Sequence, residues 1–153
     1  MESQTKYLGL DYGEKRVGIA ITDENKKYSF SREYLYNNND FFSNLLKIIK
    51  EENIEKIILG YPLNFNSEKT IQTIKTETFK NVLEEYLKNK LIETEIIFYD
   101  ERFTSKIAES GILNSGMKKK KRQEKGLVDS ISAQIILQDY IDKSANILKT
   151  NNL

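Results

Sequence analysis

The sequence predicts an α/β fold built on one mixed sheet, in which three antiparallel strands are followed by two parallel strands and helices cover the faces. Residues 7–36 alternate apolar and polar side chains between short turns, which is typical of half-buried antiparallel strands. Two short, continuously apolar runs follow at residues 56–60 and 95–99, and a helical pattern precedes each run. A helix between two buried strands indicates a parallel crossover, so the sheet is mixed rather than doubly wound.

The antiparallel half is predicted to begin with a hairpin over residues 7–23, which carries a Gly-rich break between its strands. A turn at 23–26 leads to a third strand over 28–36. A helix over 41–53 follows, and Asp40 occupies the position of its N-cap.

A second helix is predicted over residues 68–91, from apolar residues that recur at helical spacing. These residues are Ile71, Ile74, Phe79, Val82, Leu83, Tyr86 and Leu87. After the last strand we expect a short helix over 105–113 and an exposed basic loop. The last helix is predicted over 127–143, with Asp129 in its first turn.

At 153 residues the chain is long enough for one domain with a substantial core, which we assign to residues 1–145, followed by a frayed tail at 146–153. No apolar run approaches the roughly 18–20 residues of a membrane span, and the N-terminus lacks the apolar segment of a signal peptide. We therefore expect a cytoplasmic protein with no membrane partner.

The chain contains no cysteine and no histidine, which restricts the chemistry available to it. Disulfides, Cys/His zinc sites, thiol nucleophiles and Ser-His-Asp triads are excluded. Catalysis near neutral pH must then use carboxylates, Lys, Tyr, Ser/Thr or a bound cation. Mg²⁺ or Mn²⁺, which prefer oxygen ligands, fit that inventory best.

Three acidic positions stand out by their context. Asp11 lies inside the predicted first strand, where a carboxylate is depleted and costly to bury unpaired. Glu101 follows Asp100 at the exit of the last strand, and Asp129 opens the final helix. Carboxylates gathered at one edge of the sheet repel one another unless cations lie between them. Two divalent ions about 3.5–4 Å apart, held by such a cluster, could clamp a phosphodiester.

The net charge of +1 conceals a basic segment between Gly116 and Gly126. It holds six positive residues and one negative residue, a net of +5, which leaves −4 for the rest of the chain. A focused positive patch is what contact with a phosphate backbone requires. The candidate substrate-binding residues in this segment are Lys118, Lys119, Lys120 and Lys121.

Each of these features also has an ordinary structural explanation. Asp11 could be a turn residue, and Asp129 could stabilise a helix N-terminus through the macrodipole. The acidic residues at 100–101 could be a surface cluster, and the basic segment could be a solvated loop. Their occurrence together favours a metal-dependent site that binds nucleic acid.

Four segments resemble, in order, the signature blocks of the YqgF (RuvX) family of bacterial RNase H-like nucleases. They are Leu-Gly-Leu-Asp-Tyr-Gly-Glu-Lys-Arg-Val-Gly-Ile-Ala at 8–20, Leu-Gly-Tyr-Pro-Leu-Asn at 59–64, Tyr-Asp-Glu-Arg-Phe-Thr-Ser at 99–105 and Lys-Gly-Leu-Val-Asp-Ser-Ile-Ser-Ala at 125–133. The match covers nearly the whole chain, and the four blocks together are specific. Family members are described as Holliday junction resolvases and as nucleases that process the 5′ end of pre-16S rRNA.

The resemblance implies an RNase H-like fold and a set of functional residues. Asp11, Glu101 and Asp129 would be the catalytic, metal-binding acids, and Lys15, Arg16 and Arg102 would lie close to the substrate phosphates. The chain departs from the family pattern at Glu14, at Tyr61 and in the loop 64–68, which lacks the usual Asp-Gly. None of these departures removes an expected metal ligand.

We therefore expect a Mg²⁺- or Mn²⁺-dependent nuclease that processes the 5′ end of pre-16S rRNA, as a monomer or a homodimer. One alternative is resolution of four-way DNA junctions, which requires two symmetric nicks and hence a two-fold dimer. A catalytically idle nucleic-acid-binding module is another. The Asp-x-Gly hairpin also occurs in actin-like and sugar-kinase folds, but the chain has no room for the second lobe that closes over a nucleotide.

Overall fold

A computed structural model of the protein describes residues 4–101 and 125–151, with side chains over 4–101 and 130–145. The predicted helix at 105–113 and the predicted substrate-binding residues Arg102, Lys118, Lys119, Lys120 and Lys121 lie outside the described residues. The predicted tail at 146–153 falls partly within them, and its backbone is helical as far as Asn151.

The described strands form one five-stranded sheet in the order β3-β2-β1-β4-β5. Their bounds are Lys6–Asp11 for β1, Arg16–Thr22 for β2, Ser29–Tyr36 for β3, Ile54–Tyr61 for β4 and Glu95–Asp100 for β5. The central strand β1 pairs antiparallel with β2 and parallel with β4, and β4 pairs parallel with β5. The predicted mixed sheet is confirmed, with its antiparallel half at one edge and its parallel half at the other.

Two helices cover one face of the sheet, and a third covers the opposite face. Helix α1 spans Phe41–Glu51, α2 spans Ile71–Asn89 and α3 spans Lys125–Asn151. Because side chains alternate along a strand, Leu8 and Leu10 of β1 pack with α1 and α2, whereas Gly9 between them faces α3. The sheet is therefore covered on both faces, as the apolar runs of β4 and β5 predict.

Helix α3 lies unusually close to β1, because Gly9 has no side chain to hold it away. A Cβ at Gly9 would lie 2.9 Å from the Cβ of Leu137 and 3.0 Å from the carbonyl oxygen of Ala133. Further along α3, the ring of Tyr140 is 6.0 Å from that of Tyr7. The helix therefore runs antiparallel to β1, and its N-terminal end lies towards the end of β1 that carries Asp11.

Hydrogen bonds fix α3 to the edge strand as well. The backbone N–H of Ser29 donates to Oε1 of Gln138 over 2.8 Å, and its hydroxyl donates to the carbonyl of Gln134 over 2.7 Å. Gln138 in turn donates from Nε2 to the carbonyl of Lys27 over 2.9 Å. These bonds satisfy polar groups where the helix crosses β3, so the position of α3 is set at both the centre and the edge of the sheet.

The helix predicted for α2 is confirmed, but not all of the apolar residues that indicated it are buried. Ile71, Ile74 and Val82 are 74%, 56% and 48% exposed, whereas Thr73 and Thr76 are buried. The threonine hydroxyls are compatible with burial because both donate to backbone carbonyls, that of Thr73 to Pro62 and that of Thr76 to Gln72.

The predicted helix ends also need correction. Thr70 caps α2 through a reciprocal bond with Thr73, so the helix begins at Ile71 and not at residue 68. Asp40 does occupy the N-cap position of α1, but its side chain makes no capping hydrogen bond. Helix α3 extends beyond both ends of the predicted range 127–143, and because it begins at Lys125, Asp129 lies after its first turn and not in it.

None of the described helices combines the length and the apolar character that crossing a membrane would require.

Replacing Gly9 with alanine is expected to destabilise the fold by about 1–3 kcal/mol, because the added methyl group overlaps α3. Urea denaturation followed by circular dichroism measures this change. Ile71→Ala removes a side chain that is 74% exposed and should stay within about 0.5 kcal/mol of the parent protein. A Gly9→Ala variant as stable as the parent would contradict the packing described for α3.

Candidate active site

Asp11 is the last residue of β1, and this position corrects the prediction that it lies in the strand interior. It pairs with Gly18 of β2 and is partly buried. Because Asp11 and Gly9 have the same parity along β1, the Asp11 side chain lies on the α3 face of the sheet. The carboxylate is thus at the end of the central strand, where β1 and the parallel strands β4 and β5 all finish.

Glu101 directly follows β5 and is held to the neighbouring strand. Its backbone N–H donates to the carbonyl of Tyr61 at the end of β4, over 3.3 Å. Its carboxylate lies over Gly60, since a Cβ on that glycine would overlap Oε2 of Glu101 and lie 3.2 Å from its Cδ. Gly60 is therefore part of the site, because it leaves room for the glutamate side chain.

The carboxyl groups of Asp11 and Glu101 are hydrogen-bonded to each other. The strands that carry them are not neighbours, because β4 lies between β1 and β5. The Glu101 side chain spans that intervening strand above Gly60. Two of the three predicted acids, 90 positions apart in sequence, are thus brought together at one end of the sheet.

The environment of Glu101 favours its protonated form. Burial raises the pKa of Glu101 from its ordinary value of 4.5 to about 7, and the nearby charge of Asp100 acts in the same direction. The hydrogen bond with Asp11 opposes this increase. Two acids in one partly buried site repel each other when both are ionised. Their oxygens are suitable ligands for a divalent cation, which would relieve this repulsion.

Lys15 and Arg16 lie at the same end of the sheet, in and just after the turn that joins β1 to β2. Lys15 is exposed, and Arg16 begins β2 two residues before Gly18, the partner of Asp11. Asn37 fixes this turn by donating from its backbone N–H to the carbonyl of Lys15 over 2.8 Å and from its side chain to that of Gly13 over 3.0 Å. The turn therefore holds two positive residues at the same end of the sheet as the carboxyl pair.

The third predicted acid, Asp129, lies on the backbone of α3 one turn before Ala133. Because Ala133 approaches Gly9, position 129 lies towards the Asp11 end of β1. The Asp129 side chain is outside the described residues. Over the side chains described, no group of three or more His, Cys, Asp or Glu is arranged to hold a metal ion.

Gly60 is the site residue that reasoning from the sequence missed. A glycine at the end of an otherwise apolar buried strand was a signal that another group approaches the backbone closely. The sequence did not indicate that this group is Glu101, because that contact depends on the order of the strands in the sheet.

A family model described as "RuvX: Holliday junction resolvase" matches residues 5–143 of the chain. A relative from Phocaeicola vulgatus is 37% identical over 145 residues, covering 90% of this chain and 96% of its own. A relative from Sulfurihydrogenibium sp. is 38% identical over 139 residues, covering 91% of each chain. Both relatives are named "Putative pre-16S rRNA nuclease".

Solved structures resemble the fold at low sequence identity. The yeast mitochondrial Holliday junction resolvase Ydc2 aligns with a TM-score of 0.61 and 13% identity, over 99% of this chain and 84% of its own. Thermus thermophilus RuvC in complex with a Holliday junction substrate aligns with a TM-score of 0.51 and 12% identity, over 86% and 91%. The expected RNase H-like fold is confirmed.

The raised pKa of Glu101 predicts how the stability of the metal-free protein changes with pH. The folded state binds the Glu101 proton more tightly than the unfolded state does, so protonation of Glu101 stabilises the fold. This stabilisation is fully present below pH 4.5 and is lost as the pH rises to about 7. Its size is about 3 kcal/mol or less, at about 1.4 kcal/mol for each pKa unit. Urea denaturation in a chelator, compared between the parent and Glu101→Gln, isolates it.

The unfolding free energy of the parent, minus that of Glu101→Gln, should decrease as the pH rises from 4.5 to 7. A difference that is constant over this range would contradict the environment described for Glu101.

Proposed function

Because the chain belongs to the family described as RuvX, Holliday junction resolvase, we propose that it is a metal-dependent nuclease that processes the 5′ end of pre-16S rRNA. The names of its relatives from Phocaeicola vulgatus and Sulfurihydrogenibium support this substrate. The observation that carries the proposal is the carboxyl pair of Asp11 and Glu101, joined above Gly60. A proposed role in rRNA maturation places the protein in the cytoplasm.

The residues proposed to hold the cation are Asp11, Glu101 and Asp129. The described pair fits Mg²⁺ or Mn²⁺, because both side chains offer hard oxygen donors. The chain has no cysteine or histidine that would favour a softer metal. When bound, such a cation neutralises charge on the phosphate and lowers the pKa of water. The partial burial of Glu101 strengthens this electrostatic effect, because few water molecules screen it.

The remaining roles follow from position. We propose that the Glu101 carboxylate orients the attacking water, since Glu101 lies at the Asp11 end of the sheet and its backbone N–H is fixed by the hydrogen bond to the carbonyl of Tyr61. Lys15 and Arg16 are proposed to lie close to the substrate phosphates, because the turn that carries them is at the Asp11 end of the sheet. Arg102, Lys118, Lys119, Lys120 and Lys121 are proposed to bind the phosphate backbone on the grounds of their sequence alone.

Asp11→Asn is expected to reduce cleavage of 5′-extended pre-16S rRNA by roughly 100-fold or more, because loss of a cation ligand removes several kcal/mol of transition-state stabilisation. End-labelled RNA incubated with Mn²⁺ measures this loss. Asp40→Asn is the matched control, since Asp40 is exposed and its side chain makes no capping bond to α1. A four-way DNA junction in the same assay tests the alternative substrate.

A second readout separates metal binding from turnover. Mn²⁺ should raise the melting temperature of the parent protein and of Asp40→Asn, and raise that of Asp11→Asn much less. Undiminished cleavage by Asp11→Asn would overturn the proposed role of this residue. Cleavage of the junction, with the rRNA left intact, would overturn the proposed substrate.

A further inference from the structure

Two tyrosines at the end of the edge strand β3 lie beside the turn that carries Lys15 and Arg16. Tyr36 is 58% exposed and pairs in register with Arg16. The rings of Tyr34 and Tyr36 are 5.4 Å apart and nearly perpendicular, and their hydroxyl oxygens are 3.3 Å apart. The pair therefore forms one aromatic surface at the Asp11 end of the sheet.

A shift in strand register places both rings on the face of the sheet that carries Asp11. Val17 pairs with Leu35, but Ile19 pairs with Arg32, so β3 has one extra residue opposite Gly18. An extra residue of this kind redirects side chains and is frequent beside active sites. Leu35 packs into the core with α1 and α2, which leaves its neighbour Tyr36 on the opposite, α3 face.

The aromatic surface also has positive charge next to it. The guanidinium carbon of Arg16 lies 6.0 Å from the ring centroid of Tyr34, within the range of a cation–π interaction. Lys15 is exposed in the adjoining turn. Two strand spacings and a two-residue offset separate Tyr36 from Asp11, a distance of about 12 Å between their backbones. A strand bound at Asp11 would reach the tyrosines within a few nucleotides.

The stability of the fold does not explain this arrangement. A tyrosine that is 58% exposed at the end of an edge strand buries little apolar area. Aromatic rings next to positive side chains are the combination by which proteins bind single-stranded nucleic acid, because every base offers a face for stacking.

We propose that Tyr34 and Tyr36 stack unpaired bases of the substrate strand, so that the site requires a single-stranded segment a few nucleotides from the scissile phosphate. This inference rests on the nuclease function proposed above and makes its substrate more specific. The group that the tyrosines bind is an unpaired nucleobase, which either RNA or DNA could supply. In a fully paired duplex the bases are stacked on each other and cannot bind the tyrosine rings.

The test compares binding of a short fluorescent single-stranded RNA, its DNA equivalent and the corresponding blunt duplex, in the presence of Ca²⁺ to limit cleavage. Tyr36→Ala should weaken binding of the single strands about 5- to 150-fold, from a stacking energy of about 1–3 kcal/mol for each base. Tyr36→Phe keeps the ring and should remain within about two-fold of the parent.

Phe30→Ala is the matched control. Phe30 is also 58% exposed and lies on β3, but it pairs with Ile21 near the other end of the strand and faces the side of α1. Its removal should leave the affinity unchanged. The slope of affinity against salt should be the same for Tyr36→Ala and the parent, because stacking releases no counterions. A 5-iodouridine-substituted RNA should photocrosslink to Tyr34 or Tyr36.

Parent-like binding of the single strands by Tyr36→Ala would overturn the inference, as would an equal loss of affinity for the blunt duplex. The result is independent of the Asp11→Asn experiment. Normal binding by Tyr36→Ala with inactive Asp11→Asn refutes only the stacking surface, whereas active Asp11→Asn refutes the proposed catalytic role. A preference for RNA or DNA among the single strands identifies the source of the unpaired base.

Discussion

The carboxyl group of Glu101 can contact that of Asp11 only because a glycine stands between them. The sheet places β4 between the two strands that end at these acids, so the glutamate side chain has to cross it. Any side chain at position 60 would occupy the space of the Glu101 carboxylate. The site thus depends on the absence of a side chain as much as on the presence of two acids.

The same use of glycine positions the helix above the sheet. Gly9 lets α3 approach β1, and a Cβ on Gly60 would also lie 2.9 Å from the Cδ1 of Ile136. Both glycines face α3 and lie under the same stretch of it, residues 133–137. The close approach directs the N-terminal end of α3, with position 129, towards the carboxyl pair. A single packing arrangement therefore stabilises the fold and orients the elements that carry the acids.

Much of the fold could be predicted from the sequence, because local patterns determine it. Alternation marks β1 to β3, and continuous apolar runs mark β4 and β5. The errors occurred where tertiary contacts override local pattern. Thr73 and Thr76 can be buried in α2 because their hydroxyls donate hydrogen bonds to backbone carbonyls, while the more apolar Ile71 and Ile74 stay exposed.

The sequence indicates the acidic residues of the candidate site, but it does not predict how they are arranged. Position within a strand and a family resemblance indicate Asp11 and Glu101, but neither reveals that Gly60 makes room for their contact. The register shift that brings Tyr34 and Tyr36 to the Asp11 face is equally hidden, because one extra residue in a strand has no signature in its composition.

The most direct test of the account is a double-mutant cycle on Mn²⁺ affinity, measured by isothermal titration calorimetry for the parent, Asp11→Asn, Glu101→Gln and the double variant. If both carboxylates bind the same cation, each single variant loses most of the affinity and the double variant loses little more, so the effects are strongly non-additive. Additive losses, or an affinity that either single variant leaves unchanged, would show that the two acids do not form one metal site.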